Sequence, residues 1–214
     1  MTLESSFPFL SIAAAIAACV DGGGSTPARD LALKTCALGA LALFSYFRGI
    51  APTEVPAALT LGAIAEALTP SGVLRWRAAN VLFRTAGALV FAYLFLRVGE
   101  GRAAFLGDGA KAGLLVALVA AGGFGLARLR PVAAVARVGA IMEVGASLLA
   151  AIGALTLYWS LWPAMAGALG VLASETLLLA AAFWGRVRDG PHLRRAVWIL
   201  SYLGQAAMAY AFLR

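Results

Sequence analysis

Along this chain the polar residues fall between apolar stretches instead of alternating with apolar positions at the period of a surface helix. "LALKTCALGALALF", "AGLLVALVAAGGFGLA" and "VGAIMEVGASLLAAIGAL" each run for about four turns or more with hardly a water-seeking side chain. A helix crosses the hydrocarbon of a bilayer with about 20 such residues, and shorter ones serve where neighbours or local thinning help. On that ruler eight segments stand out, approximately 5–20, 31–47, 52–68, 78–97, 110–127, 132–152, 157–184 and 194–213. The pattern predicts an all-α, polytopic membrane helical bundle of about eight transmembrane helices, forming a single integral membrane domain over 1–214. The seventh segment is longer than a span needs. It is expected to open on an interfacial "LYWSLWP", with Trp159 and Trp162 at headgroup level and Pro163 in a first helical turn. "DGGGSTPARD", "RGIAPTE", "TPSG", "RLRP" and "RVRDGPH" read as turns, and "GEGRAAFLGDG" (99–109) as a glycine-rich loop.

Composition strengthens this reading. The chain is 62% hydrophobic and 13% charged, with a mean hydropathy of +0.89, whereas soluble domains are about half apolar and a quarter charged. The net charge of +7 comes from 17 Lys and Arg in short clusters between apolar segments. With no basic helix and no aromatic-interleaved stripe, nucleic acid is not an expected partner. The cations instead set topology. Arg29, Arg75, Arg77, Arg128, Arg130, Arg186, Arg188, Arg194 and Arg195 fall on one face, and Arg48, Arg97, Arg102, Lys111 and Arg214 on the other. The first face is expected to be cytoplasmic, with both termini outside, in a multi-pass protein of the cell (inner) membrane. Glu4 and the lack of a positive n-region argue against a cleaved signal peptide. Cys19 and Cys36 lie in apolar runs without partner spacing and read as packing residues.

An internal echo adds a symmetry. "RAANVLFRTAGALVFAYLFLR" (77–97) aligns without gaps on "RRAVWILSYLGQAAMAYAFLR" (194–214), and each copy follows an apolar helix bearing one glutamate, Glu66 or Glu175. A repeat of four helices makes the two halves parallel, related by an axis along the membrane normal. Such an arrangement brings Glu66 and Glu175 to equivalent depths beside a central cavity.

Six charges fall inside or near the predicted spans: Glu66, Glu143, Glu175, Lys34, Arg84 and Arg137. Each costs about 2.5–3.5 kcal/mol at the bilayer centre on insertion scales, so they must face one another or a wet cavity. Arg137 and Glu143 are candidates for a register-fixing ion pair, although a spacing of six does not put them on one helix face. Desolvation pushes a carboxyl toward its neutral form, and two carboxyls on one cavity form an acid and base pair. That pairing suits bonds that break through oxocarbenium-like states. Tyr202 and Gln205, three apart on one helix, would either bond between helices or contact substrate. His192 is the only histidine and sits in the basic loop, so neither a histidine triad nor an intramembrane histidine metal site is available. No phosphate loop, dinucleotide fingerprint or nucleophile elbow is present, and neither a cofactor nor a metal is expected.

The order of Lys34, Glu66 in "LGAIAEAL", "GALGVLASETLLLAAAFW" and "RRAVWILSYLGQAAMA" resembles the YhhN family of integral membrane proteins, whose animal members are lysoplasmalogenases. Ser174-Glu175 is similar to the family's "SD" motif, and Ser201 to Gln205 to its "tYyxaQ" pattern. Both family aspartates are glutamates here, Thr35 follows the lysine in place of a proline, and Phe91-Ala92-Tyr93 lacks the family's histidine before the tyrosine. The resemblance implies an ether hydrolase that cleaves the vinyl ether of a lysophospholipid to a fatty aldehyde and a glycerophospho-alcohol. It implies catalysis by Glu66 and Glu175, phosphate binding by Lys34 and Arg84, and substrate positioning by Tyr93, Tyr202 and Gln205, with no cofactor. Two other functions fit: another carbocation lipid enzyme using the same two carboxyls, such as a terpene cyclase or an ether- or epoxide-opening catalyst, and a small proton-coupled transporter in which Glu66, Glu143 and Glu175 relay protons.

Overall fold

A computed structural model describes residues 3–21, 27–68, 74–128, 134–183 and 190–213. The described residues are helical and contain no strand. The helices run in chain order α1 (Leu3–Asp21), α2 (Pro27–Arg48), α3 (Glu54–Leu68), α4 (Leu74–Val98), α5 (Ala103–Leu106), α6 (Gly109–Arg128), α7 (Ala134–Leu155), α8 (Trp162–Phe183) and α9 (Pro191–Ala211), with a 3₁₀ turn at Trp159–Leu161 before α8. Four stretches, Ala28–Arg48, Ala78–Val98, Arg137–Leu155 and Trp159–Ala181, are long and apolar enough to cross a bilayer, which is the signature of a membrane protein. The turns expected at 22–26, 69–73, 129–133 and 184–189 lie outside the described residues, as do Arg130, Arg186 and Arg188.

Local chemistry sets several ends. Gly49 takes a positive φ of 63° and closes α2 by donating its N–H to the Tyr46 carbonyl at 3.1 Å. Pro163 stands in the first turn of α8, as the sequence predicts; Trp162 opens that helix and Trp159 opens the 3₁₀ turn before it. The loop reading of 99–109 needs a correction, because Ala103–Leu106 forms a single helical turn there.

The interior is built mainly from alanine and the exterior from large apolar side chains. Ala37, Ala58, Ala65, Ala151, Ala154, Ala164, Ala168 and Ala209 are buried, while Phe9, Ile16, Val20, Leu82, Leu96, Val116 and Leu203 stand exposed. In water that distribution would be inverted. In lipid, large side chains cost nothing outside, and helix backbones approach most closely where side chains are small. α3 packs on α4, α4 on α7, α7 on α8 and α8 on α9, and α9 returns to touch α3. α1 and α2 lie against the outside of α3 and α9, and α6 leans on α7.

Asp108 joins α6 to the turn before α8. Its carboxylate accepts the Trp159 indole N–H at 2.5 Å and the backbone N–H groups of Ala110 and Lys111 at 2.9 and 3.3 Å. The Trp159 bond, with help from those amides and the Lys111 charge, holds the carboxyl below the usual aspartate range. A lowered folded value means the contact is fully present above the ordinary value of about 3.9 and is lost as pH falls through the lower folded one. Trp159 emission should therefore stay constant down to about pH 4 and change only below it. Asp108→Asn should abolish the acid transition, and a transition that persists in that variant would refute the linkage.

Candidate functional site

Five helices present one face each to a central cavity of about 50 Å³. Ala58, Gly62 and Glu66 line it from α3; Arg84, Ala88 and Phe91 from α4; Glu143, Ser147 and Ala150 from α7; Ala168, Val171 and Glu175 from α8; Ser201, Gln205 and Met208 from α9. Every set steps by three or four residues, so each is a single helical stripe. The stripes sort the cavity by polarity. Glu66, Arg84, Glu143, Glu175 and Ser201 lie toward one end, and Ala58, Phe91, Ala150, Ala168 and Met208 form an apolar floor toward the other.

Arg84 organises the polar end. Its Nη2 donates to Glu66 Oε1 at 2.8 Å and its Nη1 to Glu175 Oε1 at 3.0 Å. Both glutamates keep only 9% of their side-chain surface. A planar fork with several donors can hold two carboxylates at fixed positions, which a lysine ammonium cannot reproduce. Glu143 faces the same charges from α7 without a guanidinium hydrogen bond of its own. Arg84 is the one cation among the residues lining this cavity. Gln205 donates to Ser201 Oγ at 3.4 Å, and its amide lies against Gly62, where a Cβ would come within 2.9 Å of Gln205 Oε1. Glycine at 62 thus lets the α9 amide reach across to α3.

Two other glycines set the helix crossings that aim the carboxyls. A Cβ on Gly87 would sit 3.1 Å from the Ala58 carbonyl oxygen and 3.8 Å from Gly62 N. A Cβ on Gly204 would sit 2.6 Å from the Gly167 carbonyl oxygen and 3.1 Å from Val171 N. Ala58 and Gly62 precede Glu66 by 8 and 4 residues, and Gly167 and Val171 precede Glu175 by the same 8 and 4.

Of the residues singled out from the sequence, Glu66, Glu143, Glu175, Arg84 and Gln205 come together here. Lys34, Tyr202 and Tyr93 do not line the cavity. Lys34 pairs with Asp30 at 2.7 Å and lies 5.7 Å from the centre of the Trp198 ring. Trp198 stacks on Tyr202, whose hydroxyl hydrogen-bonds Ser11 Oγ at 2.7 Å. That chain of contacts joins α1, α2 and α9 on the outer side of α9, because Tyr202 is one residue, about 100°, around the helix from Ser201. Tyr93 is exposed on the outside of α4 beneath Arg97. Glu143, expected from the sequence as a costly intramembrane charge and a candidate partner of Arg137, also lines the cavity, and Ser147, Ser201 and Phe91 are cavity residues to which the sequence assigned no role. The spacing of Glu143, Ser147 and Ala150 was the available signal. Among the described residues, no group of histidine, cysteine and carboxylate side chains is arranged to hold a metal ion.

Fold and site together define an all-helical membrane protein with a carboxylate–guanidinium centre buried among its apolar helices. Comparison with protein families, with curated proteins and with solved structures gives no match.

Proposed function

We propose that this protein is a membrane-embedded ether hydrolase similar to the lysoplasmalogenases, an eight-span enzyme that works by carboxyl acid–base catalysis on a lysophospholipid vinyl ether. The observation that carries the reading is the convergence of Glu66 and Glu175, from two separate helices, on one guanidinium above an apolar floor. In vinyl ether hydrolysis a carboxylic acid protonates the alkenyl carbon, and a carboxylate takes a proton from the water that attacks the resulting oxocarbenium ion. Negative charge beside the cavity stabilises that cation as it forms. The cavity volume of about 50 Å³ suits water, whose share of liquid volume is about 30 Å³. The longer alkenyl chain enters by parting α3 and α9, the seam at which the Gln205 amide lies against Gly62.

The equivalent glycine crossings at Gly87 and Gly204, with glutamates at the same offset beyond them, support the parallel four-helix repeat. Shorter apolar helices at Ser6–Val20 and Gly109–Gly125 support additional spans beyond the four long ones, in a multi-pass inner-membrane protein with both termini outside. Lys34 then takes a headgroup phosphate at the arginine-rich face instead of at the reacting bond.

Aldehyde release from a lysoplasmenyl phospholipid by the purified protein tests the proposal. Glu66→Gln and Glu175→Gln should each lower kcat by about 10²–10⁴-fold while leaving a folded, monodisperse protein. Retained activity in both variants would sink the assignment. The surplus of three carboxyls over one guanidinium also suits a proton-coupled transporter. On that reading the wild type releases no aldehyde, and in proteoliposomes it carries a proton flux that the same glutamine variants abolish.

A further inference from the structure

Glu143 is the one carboxyl lining the cavity that Arg84 does not hydrogen-bond. Glu66 and Glu175 each commit an oxygen to accepting a guanidinium N–H. The charged groups that face Glu143 are Glu66 from α3, Arg84 from α4 and Glu175 from α8; α9 offers only Ser201 and Gln205, and α6 contributes nothing to the cavity. Three ionised carboxylates around one guanidinium would leave two uncompensated negative charges among apolar helices. The penalty for such a charge falls hardest on the carboxyl without a direct cation partner. With neither oxygen committed to a guanidinium N–H, Glu143 is the carboxyl free to carry a proton, and a proton on oxygen is what an acid needs in order to deliver one to carbon. Glu143 also heads the α7 stripe that descends through Ser147 to Ala150 on the apolar floor.

We infer that Glu143 is the general acid of the hydrolysis, while Glu66 and Glu175 stay anchored on Arg84 as the carboxylates that receive the proton from water. The inference rests on the vinyl ether reading above. Glu143 gives its proton to the alkenyl carbon distal to the ether oxygen, and the C=C electron pair forms that C–H bond, leaving an oxocarbenium ion. Water adds to the carbon beside oxygen and loses a proton to Glu66 or Glu175. The hemiacetal then collapses: its C–O bond to the glycerol breaks, the leaving oxygen takes up the proton held by the carboxyl, and the hemiacetal hydroxyl proton returns to Glu143. The sum is one vinyl ether and one water giving one aldehyde and one alcohol.

The test is the pH dependence of aldehyde release from a lysoplasmenyl phospholipid, measured for wild type, Glu143→Gln, Glu143→Asp and Glu66→Gln in detergent. In the wild type kcat should fall at alkaline pH. Glu143→Gln should lower kcat by about 10²–10⁴-fold, with KM little changed and the alkaline limb gone. Glu143→Asp should keep the limb at reduced kcat, and its profile decides the matter if the glutamine variant does not fold. A limb that survives in Glu143→Gln, or that disappears in Glu66→Gln instead, overturns the assignment of the acid. The reaction is also run in D₂O with the aldehyde trapped at once by reduction. One deuterium at the carbon next to the carbonyl, together with an unaltered Glu143→Gln, removes Glu143 alone. No aldehyde from the wild type removes both the hydrolase and its acid.

Discussion

Arg84→Met should cost about 3–5 kcal/mol of stability, the usual loss when one partner of a buried ion pair is removed and the other stays charged. The loss arises because Glu66 and Glu175, each with 9% of its side-chain surface left, give up hydrogen bonds of 2.8 and 3.0 Å at once. Thermal unfolding of the purified protein in detergent reads the effect as a large drop in midpoint. Glu66→Gln should cost far less, since Arg84 still holds Glu175. The double variant Arg84→Met, Glu175→Gln should recover part of the loss, with a coupling of about 0.5–3 kcal/mol. Arg84→Lys should rescue poorly, because an ammonium does not reproduce a fork that spans two carboxylates. If Arg84→Met melts with the wild type, the guanidinium is not what holds these helices together.

A second large effect is expected at a position with no charge. Gly204→Leu places a Cβ 2.6 Å from the Gly167 carbonyl oxygen and 3.1 Å from Val171 N, both backbone atoms of α8 that cannot rotate away. The two helices must part, at a cost near or above the upper end of about 1–3 kcal/mol for overpacking. Glu175 lies one turn beyond Val171, so the same displacement should draw it from Arg84 and lower any activity that depends on the pair. Gly39→Ala is the control. A Cβ there meets nothing within 4 Å, and exchanging glycine for alanine inside a helix gains up to about 1 kcal/mol. Equal melting of the Gly204 and Gly39 variants would mean that the α8–α9 crossing is looser than its backbone contact implies.

The helices themselves were legible because the requirement that a spanning segment satisfy its own backbone leaves one solution for a long apolar run. All eight expected segments correspond to helices, α1 to α4 and α6 to α9, and Trp159 and Trp162 stand at the start of the 3₁₀ turn and of α8. Glu66, Glu175 and Arg84 were legible for an allied reason: a charge in such a run is too costly to leave without a partner. Gln205 followed from the same logic applied to an amide.

Which charges would meet was not legible. A helix that is apolar all round carries no polar stripe to say which face turns inward. Lys34 and Arg84 look alike in sequence, yet one turns to Asp30 and Trp198 and the other to two glutamates. Glu143 showed only a spacing of six from Arg137, and the cavity that gives it a role exists only once α7 lies between α4 and α8. Sequence alone therefore determined the helices and the cost of their buried charges, since both follow from the solvent around a single segment. The partners, the cavity and the separation of Lys34 from the carboxyl centre were decided by tertiary packing, where glycines at 62, 87, 167 and 204 let particular helix faces close on one another.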